Sequence, residues 1–132
     1  MDDTQSPSTA EDYGKFVPFS ARMMAAMRAR ESSRHDRLFH DPFAELLADE
    51  EAFQRVDQQL TSQDQAYVAV QTRFFDDLLS HANGSQVVLL ASGLDTRAYR
   101  YPWQPDATIY ELDYPEVLWA PRKNQISLGV TT

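Results

Sequence analysis

The chain has 132 residues, 42% of them apolar and 24% charged, which is the composition of one ordinary globular domain with a core of its own. Its formal net charge of −8 disfavours a nucleic-acid partner, and the absence of cysteine excludes disulfides and thiolate metal sites. The three histidines share no ligand spacing, so no metal site is predicted. No apolar stretch is long enough to span a membrane and the acidic amino terminus is unlike a secretory signal, so we expect a cytoplasmic protein without a membrane partner.

The chain is predicted to begin with a disordered tail followed by two helices. Residues 1–15 are dominated by Ser, Thr, Pro and Asp and show no periodicity, which is typical of disorder. Ser20 is placed to cap a helix, and three methionines on one face of that helix are expected to pack in the core: Met23, Met24 and Met27. Asp41-Pro42 has the pattern of a second helix start, a capping carboxylate before a proline. This second helix would turn three apolar side chains inward: Phe43, Leu46 and Leu47.

The longest predicted helix begins near Thr61 or Ser62, where Ser62 and Gln65 have the spacing of a capping box. It extends to His81, and Asn83-Gly84 is expected to end it because both residues tolerate a left-handed backbone. One side of this helix carries four apolar residues: Tyr67, Val70, Phe74 and Leu78.

The next stretch combines two predicted strands with a glycine and two carboxylates. The apolar run 87–90 stops just before Gly93, and a second run, 108–110, ends in Glu111 and Asp113. About twenty residues separate the two strand ends, which is the spacing of a nucleotide-binding βαβ unit. In such a unit the glycine lets a ligand approach the backbone, and a carboxylate accepts hydrogen bonds from two ribose hydroxyls. The pattern predicts an α/β fold and an adenosine-bearing cofactor.

Other interpretations of these residues stay open on the sequence alone. Gly93 is equally consistent with a simple turn glycine, and Glu111 and Asp113 with a solvated strand end. Asp95 is placed to cap a short helix after the turn, and Arg97 to pair with a carboxylate. Since the loop lacks the G-x-G-x-x-G pattern of dinucleotide enzymes, a cofactor without phosphates is favoured.

Arg73 lies on the long helix before the first strand and has two possible roles. Asp76 and Asp77 follow it by three and four residues, so a surface ion pair is the ordinary explanation. The alternative is that Arg73 points across the strand ends toward the carboxylate of a ligand.

Taken together, the chain resembles the leucine carboxyl methyltransferase-like family of class I S-adenosylmethionine-dependent methyltransferases. The resemblance rests on four segments in the family's order: SARMMAAMRARESSRHDRLFHDPFAELLA, VQTRFFDDLL, VVLLASGLDTRAYRYPW and ATIYELDYPEVL. It covers nearly everything from Ser20 to Leu118. It implies a Rossmann-like fold, S-adenosyl-L-methionine as the cofactor, and methyl transfer to an oxygen of a small-molecule acceptor.

The resemblance also implies roles for individual residues. Arg73 would hold the methionine carboxylate of the cofactor, Gly93 would lie under its methionine part, and Asp113 would hold the ribose hydroxyls. Glu111, at the same strand end as Asp113, completes the predicted cofactor-binding set. No catalytic residue is predicted.

Only part of the family's domain is expected in this chain, because family members are more than twice as long and the chain therefore looks truncated. Residues 16–132 would form an amino-terminal helical extension and the first βαβ unit, with a divergent tail at 119–132. Pro121 would break the helix that begins at Pro115. The second strand would keep an unpaired edge, which favours self-association. The alternative to a methyltransferase is therefore a catalytically inactive fragment that acts as a binding or interaction module, while an unrelated nucleotide-binding module is disfavoured by the four segments.

Overall fold

The structure, a computed structural model, describes Tyr13, residues 16–120 and residues 122–123. Helices and strands within these residues follow in this order: α1 (Phe19–Ser32), α2 (Ala44–Leu47), α3 (Glu50–Gln59), α4 (Ser62–Ser80), β1 (Gln86–Leu90), α5 (Arg97–Arg100), β2 (Thr108–Leu112) and α6 (Pro115–Leu118). The described part of the chain contains no helix that is long and apolar enough to cross a membrane. The predicted order of helices, strand, turn, short helix and strand is confirmed, and α3 is an addition to it.

Side-chain caps define where α3 and α4 begin. Asp49 caps α3, since its carboxylate accepts a hydrogen bond from the Ala52 N–H at 3.0 Å. At α4 the Thr61 hydroxyl accepts from the Asp64 N–H, and the Asp64 carboxylate accepts from the Thr61 N–H. This is a capping box one residue earlier than the predicted Ser62 and Gln65. The Thr61 N–H and hydroxyl hold the pKa of the Asp64 carboxyl below its usual range.

Two predicted helix boundaries are wrong in their detail. Helix α1 begins at Phe19, directly after Pro18, so Ser20 lies inside the first turn and does not cap it. Helix α2 begins only at Ala44. The Asp41 carboxylate accepts from the Phe43 N–H at 3.0 Å, a local turn that delays the helix. Both errors have the same cause, because the backbone before each helix takes an extended or turn conformation that the sequence pattern does not encode.

The end of α4 also differs from its prediction. The helix ends at Ser80, and the N–H groups of His81 and Ala82 donate back to the carbonyls of Leu78 and Leu79. Neither Asn83 nor Gly84 has a left-handed backbone. Carbonyl groups of the last turn are therefore satisfied before the chain reaches these residues.

The core lies in the helical part of the molecule, where α1 packs against α2, α3 and α4. Tyr13 belongs to this core, and its hydroxyl donates to the Leu47 carbonyl at 2.6 Å. Burial raises the pKa of the Tyr13 hydroxyl to about 12. Tyr13 is the one described residue of the predicted tail at 1–15, whose other residues lie outside the described part of the chain. The central buried apolar residues are Val17, Ala25, Ala26, Met27, Leu47, Ala52, Val56 and Val68.

Six helical residues that were predicted to face the core are exposed instead. Met27 is buried and Met23 packs against the core, as predicted, but Met24 is exposed. Leu46 is also exposed, whereas Leu47 beside it is buried. Helix α4 buries small or short side chains, Val68, Ala69 and Thr72, against its neighbours. The apolar side predicted for α4 is exposed, as are all four of its members: Tyr67, Val70, Phe74 and Leu78.

Strands β1 and β2 form a two-stranded parallel sheet whose register runs from Gln86↔Thr108 to Leu90↔Leu112. No residue of either strand is buried, and exposed and half-buried residues alternate along both. Parallel sheets normally carry helices on both faces. This sheet is the expected first βαβ unit, and among the described helices only the short α5 packs substantially against a strand, β2.

A buried ion network ties the helical part to the βαβ unit. The side chain of Asp41 has no exposure to solvent, and it accepts hydrogen bonds from Arg28 Nε at 3.0 Å and from the Thr96 hydroxyl at 2.7 Å. Arg28 also donates to the Leu94 carbonyl at 2.6 Å. Residues from α1, from the loop before α2 and from the turn after β1 therefore meet at one carboxylate.

The network continues from Thr96 to α4. Arg100 Nε donates to the Thr96 hydroxyl at 3.0 Å, and the two Nη atoms of Arg100 donate to Asp76 at 2.9 and 3.1 Å. Arg97 donates to the same Asp76 carboxylate at 2.9 Å. We call these residues the Asp41 network: Arg28, Asp41, Asp76, Thr96, Arg97 and Arg100.

The variant Asp41→Ala tests how much the network stabilises the fold. Removing a buried carboxylate leaves the Arg28 guanidinium without its counter-charge, so we expect the free energy of unfolding to fall by about 3–5 kcal/mol. Urea denaturation followed by circular dichroism measures it. The control is Asp57→Ala, which breaks a half-exposed pair with Arg30 and is expected to change stability by less than about 1 kcal/mol. Equal losses in both variants would contradict the central place of Asp41.

Candidate functional site

A cleft of about 470 Å³ lies where α1, α4 and the turn after β1 meet. Helix α1 contributes Ala21 and Met24, and α4 contributes Gln71, Thr72 and Phe75. The turn 91–95 and Asp113 form the remaining side. The cleft therefore opens at the carboxyl ends of both strands, which is where open α/β sheets bind ligands.

The turn after β1 is conformationally unusual. Ala91 and Gly93 have φ values of 49° and 51°, in the left-handed region that favours glycine. Between them, the Ser92 N–H donates to the Leu112 carbonyl at 3.2 Å, which extends the strand pairing by one bond. The chain consequently reverses sharply at the strand end and presents its backbone to the cleft.

Asp113 and Gly93 are in direct contact. The Gly93 N–H donates to Asp113 Oδ2 at 2.7 Å, and the Tyr114 N–H donates to Asp113 Oδ1 at the same distance. Each carboxylate oxygen has two lone-pair sites, so one acceptor site on each oxygen stays available. Asp113 lines the cleft, and two neighbouring acceptor sites match a pair of vicinal hydroxyls.

Glu111 does not line the cleft, although it lies two residues before Asp113 on the same strand end. Its Oε2 accepts from the Tyr99 hydroxyl at 2.6 Å, and its Oε1 lies 2.9 Å from Lys123 Nζ in an ion pair. Burial and the bond to Glu111 raise the pKa of the Tyr99 hydroxyl. The buried Lys123 ammonium donates to the Gly93 carbonyl at 3.0 Å. Glu111 therefore supports the turn through Lys123 and does not face the cleft.

Arg73 also lies outside the lining of the cleft. Its side chain is half-exposed, and it donates to Asp77 at 2.9 Å and to the Leu38 carbonyl at 2.7 Å. The pairing with Asp77 is the ordinary surface interaction considered from the sequence. Gln71 and Thr72, immediately before Arg73, line the cleft instead.

Arg97 pairs with carboxylates as predicted, whereas Asp95 does not cap α5, since it lies one residue before Thr96, which holds the N-cap position. Asp95 accepts from the Arg97 N–H at 2.8 Å at the start of α5, and Arg97 pairs with Asp95 at 2.7 Å and with Asp76 at 2.9 Å. Both residues also line the cleft. The structural and the ligand-contacting interpretations are therefore compatible for this pair.

Several residues that line the cleft were not predicted from the sequence as ligand contacts, among them Ser92 and Gln71. Ser92 is buried, and its hydroxyl has no hydrogen-bond partner within the described part of the chain. Its position between two predicted features, the strand end and Gly93, was the available signal. Gln71 carried no signal, because only the packing of α4 against α1 decides which side of α4 faces the cleft.

The variant Gly93→Ala tests the conformational demand of the turn. An added Cβ would meet Ala21 Cβ at 3.7 Å, an ordinary contact, so the cost comes from the positive φ. We expect the free energy of unfolding to fall by about 1–2 kcal/mol. The control is Gly84→Ala, where φ is not left-handed and the nearest atom is 3.5 Å away, and stability should stay within about 1 kcal/mol of the wild type. Chemical denaturation of both variants distinguishes these outcomes.

Comparison with known proteins identifies the family to which this chain is similar. The family described as "Leucine carboxyl methyltransferase" matches residues 21–126, which extends past Leu118, where the resemblance was expected to end. A protein of Mycobacterium sp. (strain JLS) is 36% identical over 96% of this chain and 47% of its own length. Relatives in Mycobacteroides abscessus and Frankia alni are 38% and 42% identical over 86% and 77% of the chain.

All three relatives bear the name "Putative S-adenosyl-L-methionine-dependent methyltransferase". The chain spans about half the length of these curated relatives. Because the family matches most of the chain and the relatives align at this identity, the chain belongs to the leucine carboxyl methyltransferase family.

Proposed function

We propose that this chain provides the cofactor-binding part of an S-adenosyl-L-methionine-dependent methyltransferase that acts on an oxygen of a small-molecule acceptor. One observation carries the proposal: the Gly93 N–H bonds to Asp113, so that the glycine turn and the acidic strand end line a single cleft. Membership of the family and the names of the relatives support methyl transfer.

The residues of the cleft fit this cofactor. Small-molecule sites commonly enclose about 300–1,000 Å³, and the cleft falls in that range. Gly93 has no side chain to fill the floor of the cleft, and Asp113 keeps two acceptor sites for a ribose. The buried Ser92 hydroxyl can form a hydrogen bond with a ligand. Asp95 is paired with Arg97, which also lines the cleft, so Asp113 is the carboxylate that would favour a cationic sulfonium.

In methyl transfer, the main contribution of this chain would be to align the reacting atoms. When bound, S-adenosyl-L-methionine supplies an electrophilic methyl group, which forms a bond to the acceptor oxygen as its bond to sulfur breaks. Asp113 would anchor the ribose, and the backbone at Gly93 would approach the methionine part. Holding the reacting atoms in line and excluding water account for much of the rate in such a displacement. An ionised carboxylate or phenolate acceptor needs no general base, and we assign none.

Arg73 is included in the proposal as the partner of the methionine carboxylate. To reach a ligand its guanidinium must leave Asp77, but that pair is half-exposed and such pairs contribute less than about 1 kcal/mol. Exchanging one carboxylate for another therefore costs little. Thr72 and Phe75, one residue before and two residues after Arg73, line the cleft, which supports a position of Arg73 close to its rim.

Glu111 has a supporting part in the same proposal. Its ion pair with Lys123 holds the ammonium that bonds to the Gly93 carbonyl, so Glu111 would act on the cofactor through the turn. A cytoplasmic location and the absence of a nucleic-acid partner remain predictions from the composition.

A chimera tests the proposed activity. It joins residues 1–126 of this chain to the carboxy-terminal remainder of the Frankia alni relative. We expect it to release S-adenosylhomocysteine with at least one member of a panel of carboxylate and phenol acceptors. Wild-type cofactor binding without turnover on any acceptor in the panel would favour the alternative, a catalytically inactive binding module.

The same chimera carries the test of Asp113. Asp113→Asn removes the charge that strengthens hydrogen bonds to the ribose, and we expect a loss of about 2 kcal/mol, or about 30-fold in affinity for S-adenosyl-L-methionine. Isothermal titration calorimetry measures it. The control is Asp106→Asn, an exposed acidic residue in the turn before β2. Equal affinities of the Asp113 variant and the control would remove Asp113 from the site.

Paired variants on α4 test Arg73. We expect Arg73→Met to weaken cofactor binding by about tenfold while changing the free energy of unfolding by less than about 1 kcal/mol. Gln71→Met is the matched comparison, because Gln71 already lines the cleft. If only the Gln71 variant loses affinity, α4 contacts the cofactor through Gln71, and Arg73 has no role beyond its pair with Asp77.

A further inference from the structure

Lys123 is the most deeply buried cationic side chain in the described part of the chain, with an exposure of 1%. Lysine is almost never fully buried unless its charge is paired, because the ammonium group loses strong hydration in the interior. The Lys123 Nζ lies between the Gly93 carbonyl oxygen at 3.0 Å and Glu111 Oε1 at 2.9 Å. An apolar side chain of the same length would fill this space without the cost of burying a charge. The ammonium group therefore needs an explanation beyond packing.

The two contacts of the ammonium group differ in kind. Glu111 Oε1 makes no hydrogen bond with any described residue, although it lies at ion-pair distance from the Lys123 Nζ. The hydrogen bond of Nζ goes to the Gly93 carbonyl instead. A hydrogen bond depends on angle, whereas an ion pair depends mainly on distance. Glu111 therefore balances the charge of Lys123, while the directional bond of Lys123 is spent on the glycine turn.

Gly93 is the residue of this turn whose direction most needs to be fixed. Its φ is 51°, and glycine has more backbone freedom than any other residue. Its N–H donates to Asp113 Oδ2 at 2.7 Å, and its carbonyl accepts from Lys123. Charged side chains thus hold Gly93 from two sides, with Asp113 in the lining of the cleft and Lys123 outside it. Without the bond to its carbonyl, the Gly93 backbone would be freer to rotate, and its N–H would lose its alignment with Asp113.

Lys123 extends toward the turn from a segment that is fixed to the helical part of the molecule. Arg122, directly before it, donates to the carbonyls of Leu46 and Ala48 at 3.1 and 2.9 Å. Ala120 is buried in the helical core. This segment lies in the tail that was predicted to diverge, yet the family match includes it. The ammonium group therefore holds the glycine turn from a firm support.

We propose that Lys123 is a positioning residue of the cofactor site. Its ammonium group fixes the direction of the Gly93 backbone, and Glu111 supplies the balancing charge alone. The effect on the cofactor rests on the proposed function, whereas the effect on the turn does not.

Three variants separate direction from charge: Lys123→Met, Glu111→Gln and the double variant that combines them. Lys123→Met removes both the donor and the positive charge. Glu111→Gln removes only the balancing charge, since a glutamine can still accept from the Tyr99 hydroxyl. Breaking one side of a buried ion pair is destabilising, whereas neutralising both sides is often tolerated. We therefore expect the midpoint of urea unfolding to fall in both single variants and to return toward the wild-type value in the double variant.

Nuclear magnetic resonance of the 132-residue chain measures the turn directly. In Lys123→Met and in the double variant, we expect the carbonyl carbon resonance of Gly93 to shift and its amide to exchange at least about tenfold faster. In Glu111→Gln both should stay close to the wild type, because the donor to Gly93 is still present. Equal changes at Gly93 in the two single variants would overturn the proposal, whether or not the double variant regains stability. Recovery of Gly93 together with stability in the double variant would also overturn it, since the ion pair would then be merely structural.

The chimera with the Frankia alni remainder tests the consequence for the cofactor. We expect Lys123→Met and the double variant to bind S-adenosyl-L-methionine about tenfold more weakly, and Glu111→Gln to stay within about threefold of the wild type. Equal affinities of Lys123→Met and Glu111→Gln would contradict the positioning role. A wild-type chimera that binds no cofactor would count against the proposed function, and the measurements on Gly93 would still decide whether Lys123 directs the turn.

Discussion

The carboxylate of Asp41 has no exposure to solvent, and the rest of the structure depends on how its charge is balanced. A buried carboxylate is costly unless it is paired and hydrogen-bonded, and Arg28 and Thr96 do both. These partners come from segments far apart in the chain. Because the network extends to Asp76, the helical part and the turn after β1 have one relative position in which all the charges are satisfied. The shape of the cleft follows from that position.

The molecule is therefore unevenly stabilised. Its helical part buries apolar side chains around α1, whereas no residue of either strand is buried. The βαβ unit is held largely by polar interactions: the Asp41 network on one side, and the contact of Lys123 with Gly93 and Glu111 on the other. Directional bonds can position a turn accurately, but they do not replace the buried area that a sheet needs.

Local sequence patterns determined much of this protein. The two strands, the glycine turn, the carboxylate of Asp113 and the capping of α4 follow from short-range rules of backbone conformation, and they are found within two residues of their predicted places. Tertiary structure decided the rest, because burial and charge pairing are made between distant segments. The packing of α1 on α4 turns Gln71 toward the cleft and leaves Arg73 on Asp77. The contacts with Tyr99 and Lys123 hold Glu111 outside the lining of the cleft. A pattern of residue types identifies groups able to bind a ligand, but which of them reach it depends on neighbours that lie far away in the chain.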